Sequence, residues 1–365
     1  MTEPALESIE IEGFLSISSA SVSLGRLNVL IGANGAGKSN FITAFELLGR
    51  LADNQLRLFV GQRGGASALL NKTKGSQHIK FDLRGREDGY RGVLIPAVDE
   101  KLIFENEAVL HRTGPDAEFQ AAPIGVGSSE TSLNIEARLY PEAKKFASDL
   151  LKACKVYHFH DTSPDAAVKQ FVPTADNISL RADAGNLAAV LLALRNSDDA
   201  AYRLITRAVR QVAPFFGEFV LEPENDRVRL RWSQVDSDAI FSASQMSDGT
   251  LRFICLATLL LQPALPALVI LDEPELGLHP FAIVQLAGLL RQASVRSQVL
   301  MATQSVTLMN QFELADLIVV QRENGASTFT RPDPAKLSAW LEDYSLGELW
   351  EKNVIGGRPG GAGRI

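Results

Sequence analysis

Cysteine is scarce in this 365-residue chain, which has only Cys154 and Cys255. Both stand among apolar residues and neither belongs to a pair with metal-ligand spacing, so they read as buried free thiols. That usage makes a reducing, cytoplasmic setting the default expectation. No apolar run reaches the roughly 18 residues that would span a bilayer. The acidic start, Met1 to Glu10, lacks the basic-then-apolar form of a secretory signal. Heptads are not sustained, which excludes a long coiled coil, and no fixed-period repeat is present. A net charge of -7 argues against a surface coated in nucleic-acid-binding charge, while leaving room for a local basic groove.

What is present is ordinary for a globular protein, with 46% hydrophobic and 22% charged residues, in a length that suits one large domain or two modest ones. Short strands are expected at Ile9 to Ile11 and Leu27 to Ile31, and a helix at Lys38 to Leu48, where Phe41, Ala44, Phe45 and Leu48 share a face. Residues 77 to 140 read as strands broken by Gly, Pro and Asp turns, including LNIEARLY at Leu133 to Tyr140. Helices follow near Leu187 to Leu194 and Ala200 to Val212, then strands at Glu218 to Leu221 and Arg227 to Trp232. A helix from Asp248 to Leu261 leads into Leu268 to Leu271, a continuous apolar run of the kind found in a buried parallel strand. Strands at Gln298 to Ala302 and Leu317 to Gln321 complete an α/β pattern.

Ile31 ends a strand and is followed by Gly32, Ala33, Asn34, Gly35, Ala36, Gly37, Lys38 and Ser39, then by a helix. This is the complete G-x-x-x-x-G-K-S phosphate loop in its strand–loop–helix context. Glycines let backbone N–H groups curl around an anion, and the helix N-terminus adds partial positive charge. Lys38 is placed to meet the β- and γ-phosphates and the Ser39 hydroxyl to ligate Mg²⁺. Leu268 to Leu271 end in Asp272, Glu273, Pro274 and Glu275. Adjacent carboxylates at the carboxyl end of a buried strand are costly without a task, and that end is where ligands bind in open α/β sheets. Asp272 suits Mg²⁺ and its water shell, and Glu273 suits the deprotonation of an attacking water. Upstream, Ser247, Asp248 and Gly249 open an apolar helix. They form either an anion site without its own lysine or a plain helix cap made by Ser247 or Asp248.

Three motifs in this order resemble the ABC ATPases related to RecF, SMC proteins and OLD-type ATPases. The segments GANGAGKSN, QMSDGTLR, LDEPELGLHP, ATQS, YHFHDTS and SLGELWEKNVIGGRP resemble a compact bacterial branch of stand-alone AAA family ATPases. The likeness covers most of the chain and is weak across Gly75 to Ser148. It implies an α/β fold: an ABC-type P-loop ATPase head with a mixed sheet, an N-terminal antiparallel β part, a large inserted β/α lid region and no long coiled coil. The expected division is an ATPase core split between 1–60 and 235–355, an inserted region at 61–234, and a flexible glycine-rich tail at 356–365.

By the same resemblance, Gly32 to Ser39 with Asn40 bind ATP, Ser39 and Asp272 hold Mg²⁺, and Glu273 is the catalytic carboxylate. Gln62 is a lid glutamine between metal and water. Ser247 to Gly249 reach the nucleotide of a second subunit, with Asp248 expected to cap the helix. His279 either crosses the dimer interface or is a buried, satisfied histidine. The switch position carries Gln304 in place of the usual histidine; glutamine hydrogen-bonds but carries no charge, which implies slow hydrolysis. Leu15 stands where related chains often have an arginine. His158, His160 and Asp161 read as a structural pair with a neighbouring acid, or as an incomplete metal cluster.

The resemblance implies an ATPase that acts as a homodimeric, ATP-gated switch in DNA repair or anti-phage defence. Its partners would be a separate effector protein or DNA, with no membrane. A transporter motor uses the same motifs, but the long insertion between Lys38 and Ser247 argues against it. A nucleotide-binding scaffold with little hydrolysis is the remaining alternative. No cluster of acidic metal ligands follows Gln304, so any nuclease would be the partner's. Finally, Leu346, Leu349 and Trp350 form an apolar stripe that packs on the chain's own core or docks a second protein.

Overall fold

A computed structural model describes residues 6–114, 116–134 and 140–357. The chain opens with β1 (Ser8–Phe14), β2 (Ile17–Ser23) and β3 (Leu27–Ile31), then the glycine-rich loop and α1 (Lys38–Ala52). Two short helices, α2 (Leu56–Gln62) and α3 (Ala66–Leu69), precede a meander of β4 (Ile79–Arg84), β5 (Asp88–Ala97), β6 (Lys101–His111) and β7 (Gln120–Gly125). Next come α4 (Pro141–Ala153), β8 (Val156–Tyr157) and β9 (Val172–Pro173). Helices α5 (Leu187–Ser197) and α6 (Asp199–Val212) lead to β10 (Phe216–Phe219), β11 (Arg227–Val228), β12 (Arg231–Gln234) and β13 (Ile240–Ser242). Then follow α7 (Asp248–Leu261), β14 (Leu268–Asp272), α8 (Pro280–Arg296), β15 (Gln298–Thr303) and α9 (Val306–Met309). The chain continues with β16 (Leu317–Glu323), β17 (Ala326–Thr330), α10 (Pro334–Leu341) and α11 (Leu346–Glu351).

The central sheet has the order β17-β16-β3-β15-β14-β8. All its pairings are parallel except the β16–β17 hairpin. Side chains of the middle strands alternate between two cores, as the two-residue period requires. Val269, Leu271, Val299 and Met301 join the core beneath α7 and α8. Ile270, Leu300 and Ala302 join the core shared with α1, α4 and the second sheet. Burial on both faces explains why these strands read as unbroken apolar runs. Register aligns Thr303 with Ile31 and Ala302 with Asp272. The motif-bearing ends of β3, β14 and β15 therefore share one edge of the sheet.

The second large sheet is fully antiparallel, with the order β2-β1-β4-β5-β6-β7. β4, from the segment after the phosphate loop, thus hydrogen-bonds β1, and β8 hydrogen-bonds β14. Among the described residues the longest helix has 17 residues, and no helix is long and apolar enough to cross a membrane. Both cysteines are buried and free, and burial pushes the Cys255 thiol up to about 12.

Three sequence expectations are corrected. Arg227 to Trp232 is not one strand: β11 pairs with β9 while β12 pairs with β10 and β13. Of the strand expected at Leu133 to Tyr140, Leu133 and Asn134 form a turn and 135–139 lie outside the described residues. The segment after Pro141, where no element was expected, is a helix, with Ala143, Ala147, Leu150 and Leu151 buried along one stripe. At the far end, Ile355 is buried and the Ala33 N–H donates to the Gly357 carbonyl at 2.6 Å. A Cβ on Gly357 (φ 86°) would lie 3.2 Å from Trp350 Nε1 and 3.3 Å from the Gly32 Cα. Of the tail expected to be flexible, Gly357 is thus packed against the glycine-rich loop and Gly356 against Gln321 of β16; 358–365 lie outside the described residues.

Candidate nucleotide site

The loop after β3 is braced from behind. Gly37 takes φ 116° as the N-cap of α1, a backbone region that L side chains rarely adopt. A Cβ there would lie 2.1 Å from the Ser327 Oγ. That hydroxyl donates to the Ala36 carbonyl at 2.6 Å and sits 2.7 Å from the Ser16 Oγ. Ser16 in turn accepts from the Asn40 amide at 2.6 Å, so the Asn40 side chain is spent on holding the loop to the β1–β2 turn. Phe41 and Phe329, with ring centroids 4.9 Å apart, add an apolar contact beneath.

A cavity of about 210 Å³ opens over this loop. Asn34, Gly35, Gly37, Lys38, Ser39 and Asn40 line it from the loop, and Glu273, Gln304 and Arg322 from the strand ends. Lys38 is 5% exposed and donates to the carbonyls of Gly32 at 2.7 Å and Ala33 at 3.1 Å. Burial lowers its pKa, and Glu273, Asp272 and Glu275 oppose that shift. The Ser39 hydroxyl lies near Asp272, whose carboxyl pKa burial raises; the hydroxyl opposes that shift and the Glu273 charge adds to it. One oxygen of Asp272, Oδ1, is buried with no hydrogen-bond partner. An orphaned carboxylate oxygen beside a serine hydroxyl, both hard donors, fits a divalent cation of the Mg²⁺ type.

Glu273 takes φ 44°, a conformation that costs a non-glycine residue free energy and occurs disproportionately at functional sites. Its N–H donates to the Ala302 carbonyl at 2.9 Å, and its carboxylate receives the Gln304 side-chain amide. Glu275, to which the sequence assigns no role, holds this arrangement: it accepts from the Thr303 hydroxyl at 2.5 Å and from the Gln304 N–H at 3.3 Å. Burial raises its pKa. Only the tertiary approach of β15 distinguishes Glu275 from a surface acid.

Other expected residues fall elsewhere. Gln62 is exposed at the end of α2 and does not line the cavity. Ser247, rather than Asp248, is the N-cap of α7, accepting from the Thr250 N–H at 3.3 Å; Asp248 occupies the first turn. Ser247 and Asp248 are exposed and lie outside the cavity that Lys38 lines. His279 is exposed rather than buried; it caps α8, its Nδ1 accepting from the Phe281 N–H at 3.2 Å.

His160 donates from Nε2 to the Asp272 carbonyl at 2.9 Å, while Arg252 donates to the carbonyls of His160 and Leu276, each at 2.8 Å. That chain of bonds ties α7 to the end of β14. Among the described residues no group of three or more His, Cys, Asp or Glu is placed to hold a metal. His158, whose ring lies 6.2 Å from that of His160, and Asp161 therefore form no such cluster.

A family model described as "AAA domain, putative AbiEii toxin, Type IV TA system" matches residues 27–310. The chain belongs to this AAA-domain family. The match begins at β3 and spans the glycine-rich loop, α7, β14 and β15. Among solved structures, this AAA-domain chain is similar to the Smc head domain with an extended coiled coil bound to the C-terminal domain of ScpA, from Pyrococcus furiosus. The TM-score is 0.57 at 17% identity, over 93% of this chain and 99% of that one. It is also similar to an SmcHead bound to the C-winged helix domain of ScpA, with a TM-score of 0.55 at 17% identity, over 92% of this chain and 100% of that one. At such identity the likeness establishes a shared fold. A comparison with curated proteins found no match. The expected fold class is what the structure has: a mixed α/β ATPase head with an antiparallel β part.

Proposed function

We propose that this AAA-domain protein binds Mg²⁺-ATP at the cavity over Gly32 to Ser39, hydrolyses it slowly, and uses it to close a homodimer. The contact between Glu273 and Gln304, above the loop that carries Lys38, carries this reading. Loop amides and Lys38 bind the phosphates, and Ser39 and Asp272 hold the cation, which when bound neutralises phosphate charge. Glu273 takes the proton from the attacking water while Gln304 orients it. Gln304 has no charge to offer the transferring phosphoryl group, which is the reason for assigning a low rate.

Separation of the signature from the cavity supports closure between subunits. Ser247 caps an exposed helix start with no lysine of its own, so Ser247 to Gly249 serve the nucleotide of the partner copy. Beside them Leu276 and Phe281, 49% and 50% exposed, supply apolar surface for that contact. The split of work between residues 1–60 with 235–355 and the inserted 61–234 belongs to the same proposal, the insertion acting as a lid with Gln62 swinging in on closure. The output passes to a separate effector protein or DNA in bacterial DNA repair or anti-phage defence, and the toxin–antitoxin wording of the family description favours the second setting. Steady-state phosphate release decides the core of the proposal. Glu273→Gln should bind ATP and fall by about 10²–10⁴-fold in turnover; wild-type turnover in that variant refutes the assignment.

A further inference from the structure

We propose that Arg322 is a nucleotide-binding residue that docks its guanidinium on the phosphate tail of ATP held in the same subunit. This inference rests on the nucleotide reading of the cavity and adds a contact that no motif contains.

Arg322 stands near the end of β16, two residues before the Asn324-Gly325 turn, and is exposed. The turn is Asn324-Gly325, both with positive φ (48° and 80°), the geometry that suits a tight two-residue hairpin. Its tip is fixed by the Thr73 hydroxyl, which donates to the Gly325 carbonyl at 3.1 Å. Arg322 pairs directly across the hairpin with Ser327. Directly opposed residues share a face of the sheet, and on this face Ser327 is bonded to the Ala36 carbonyl. The hairpin that buttresses the loop therefore carries an arginine on the buttressing side.

The contacts of Arg322 point the same way. It lines the cavity with Lys38, Ser39, Glu273 and Gln304. Among the described residues its side chain makes one hydrogen bond, a long donation of 3.4 Å to the Gly35 carbonyl, and no carboxylate forms an ion pair with it. A guanidinium carries five donors in a planar fork suited to phosphate. One long bond to a neutral carbonyl leaves most of that capacity directed at the cavity. A phosphate tail offers charge-assisted bonds, which are shorter and stronger than the bond it would replace.

The test uses the full chain with Mg²⁺ and the β,γ-imido analogue of ATP, comparing wild type, Lys38→Ala, Arg322→Ala and Arg322→Gln by calorimetric titration at low and high salt. Arg322 is exposed, so both of its variants should keep the wild-type melting temperature without nucleotide. The expected result is about a tenfold loss of affinity in both at low salt, with a flatter salt dependence than wild type, because a charge contact has been removed. Glutamine keeps a donor for the Gly35 carbonyl but has no charge. Wild-type affinity in Arg322→Gln would make Arg322 a prop for the loop and overturn the inference, as would affinity within twofold of wild type in Arg322→Ala. Failure of the wild-type chain itself to bind, equal to Lys38→Ala, would instead refute the nucleotide reading beneath it.

Discussion

Glu275 accepts the Thr303 hydroxyl at 2.5 Å and so joins the loop after β14 to the end of β15. The same oxygen takes the Gln304 N–H at 3.3 Å, which fixes where the Gln304 side chain begins its reach toward Glu273. Removing Glu275 should disturb the orientation of Gln304 more than the binding of nucleotide. Glu275→Ala is expected to cost about 1–3 kcal/mol of stability through the buried donors it strands. Turnover should fall while ATP affinity stays within a few-fold of wild type. Parallel calorimetry and phosphate-release assays check this; a variant with wild-type turnover would show that Gln304 needs no such support.

Asp272 gives a pH prediction. Burial raises its carboxyl pKa, against the influence of the nearby Ser39 hydroxyl. The folded chain then holds this proton more tightly than the unfolded chain, whose carboxyl titrates near about 4. Between those two values the folded state binds more protons, so stability falls as pH rises through the window and stays lower above it. Asp272→Asn should melt a few degrees higher than wild type at neutral pH without metal, with a shallower pH slope. It should also lose the extra stabilisation that Mg²⁺ adds to bound ATP. An unchanged slope would mean that Asp272 is not the group responsible.

Ser247→Arg tests the signature. The side chain sits at an exposed helix start, so the substitution should cost about 1 kcal/mol as a lost cap and leave ATP binding intact. In a Glu273→Gln background, sedimentation with ATP should show a dimer with Ser247 and a monomer with arginine there. A dimer that survives the change would reduce the motif to a helix cap.

The C-terminal stripe lies against the chain's own core. Leu346 and Leu349 are buried in it, and Trp350 packs against it partly covered. Leu349→Ala is expected to cost about 2–5 kcal/mol, read as an early melt. Trp350→Ala should lower the melting temperature and also weaken ATP binding, because Gly357 is wedged between the indole and Gly32. Stability lost with ATP affinity unchanged would confine the helix to a packing role.

Much of the site is legible locally. The glycine spacing, the lysine and serine, the apolar strand ending in acids and the capped apolar helix each carry their chemistry within a few residues. The helix α4 carries a local signal too, since Pro141 stands at its start and Ala143, Ala147, Leu150 and Leu151 keep helical spacing, although no element was expected there from the sequence. Glu275 and Arg322 were not legible. One reads as a third acid in a turn and the other as a charged strand end, and only β15 in the first case and the loop after β3 in the second give them partners. The pairing of β4 with β1 was equally hidden, because period and propensity specify a strand without naming its neighbour.

The bond from Ala33 to Gly357 sets a schedule. Ala33 is made before β15 and β16, yet β3, which positions it, lies between those two strands, and Gly357 follows both. A nascent chain thus carries its phosphate loop on a strand with neither neighbour in place until β15 and β16 are made. Non-local pairing of this kind is slow and leaves strand edges uncovered meanwhile. A chain stopped short of Gly357 would keep every residue of the loop and lose the backbone bond that Ala33 makes, so the loop gains this support only once the segment after α11 is made.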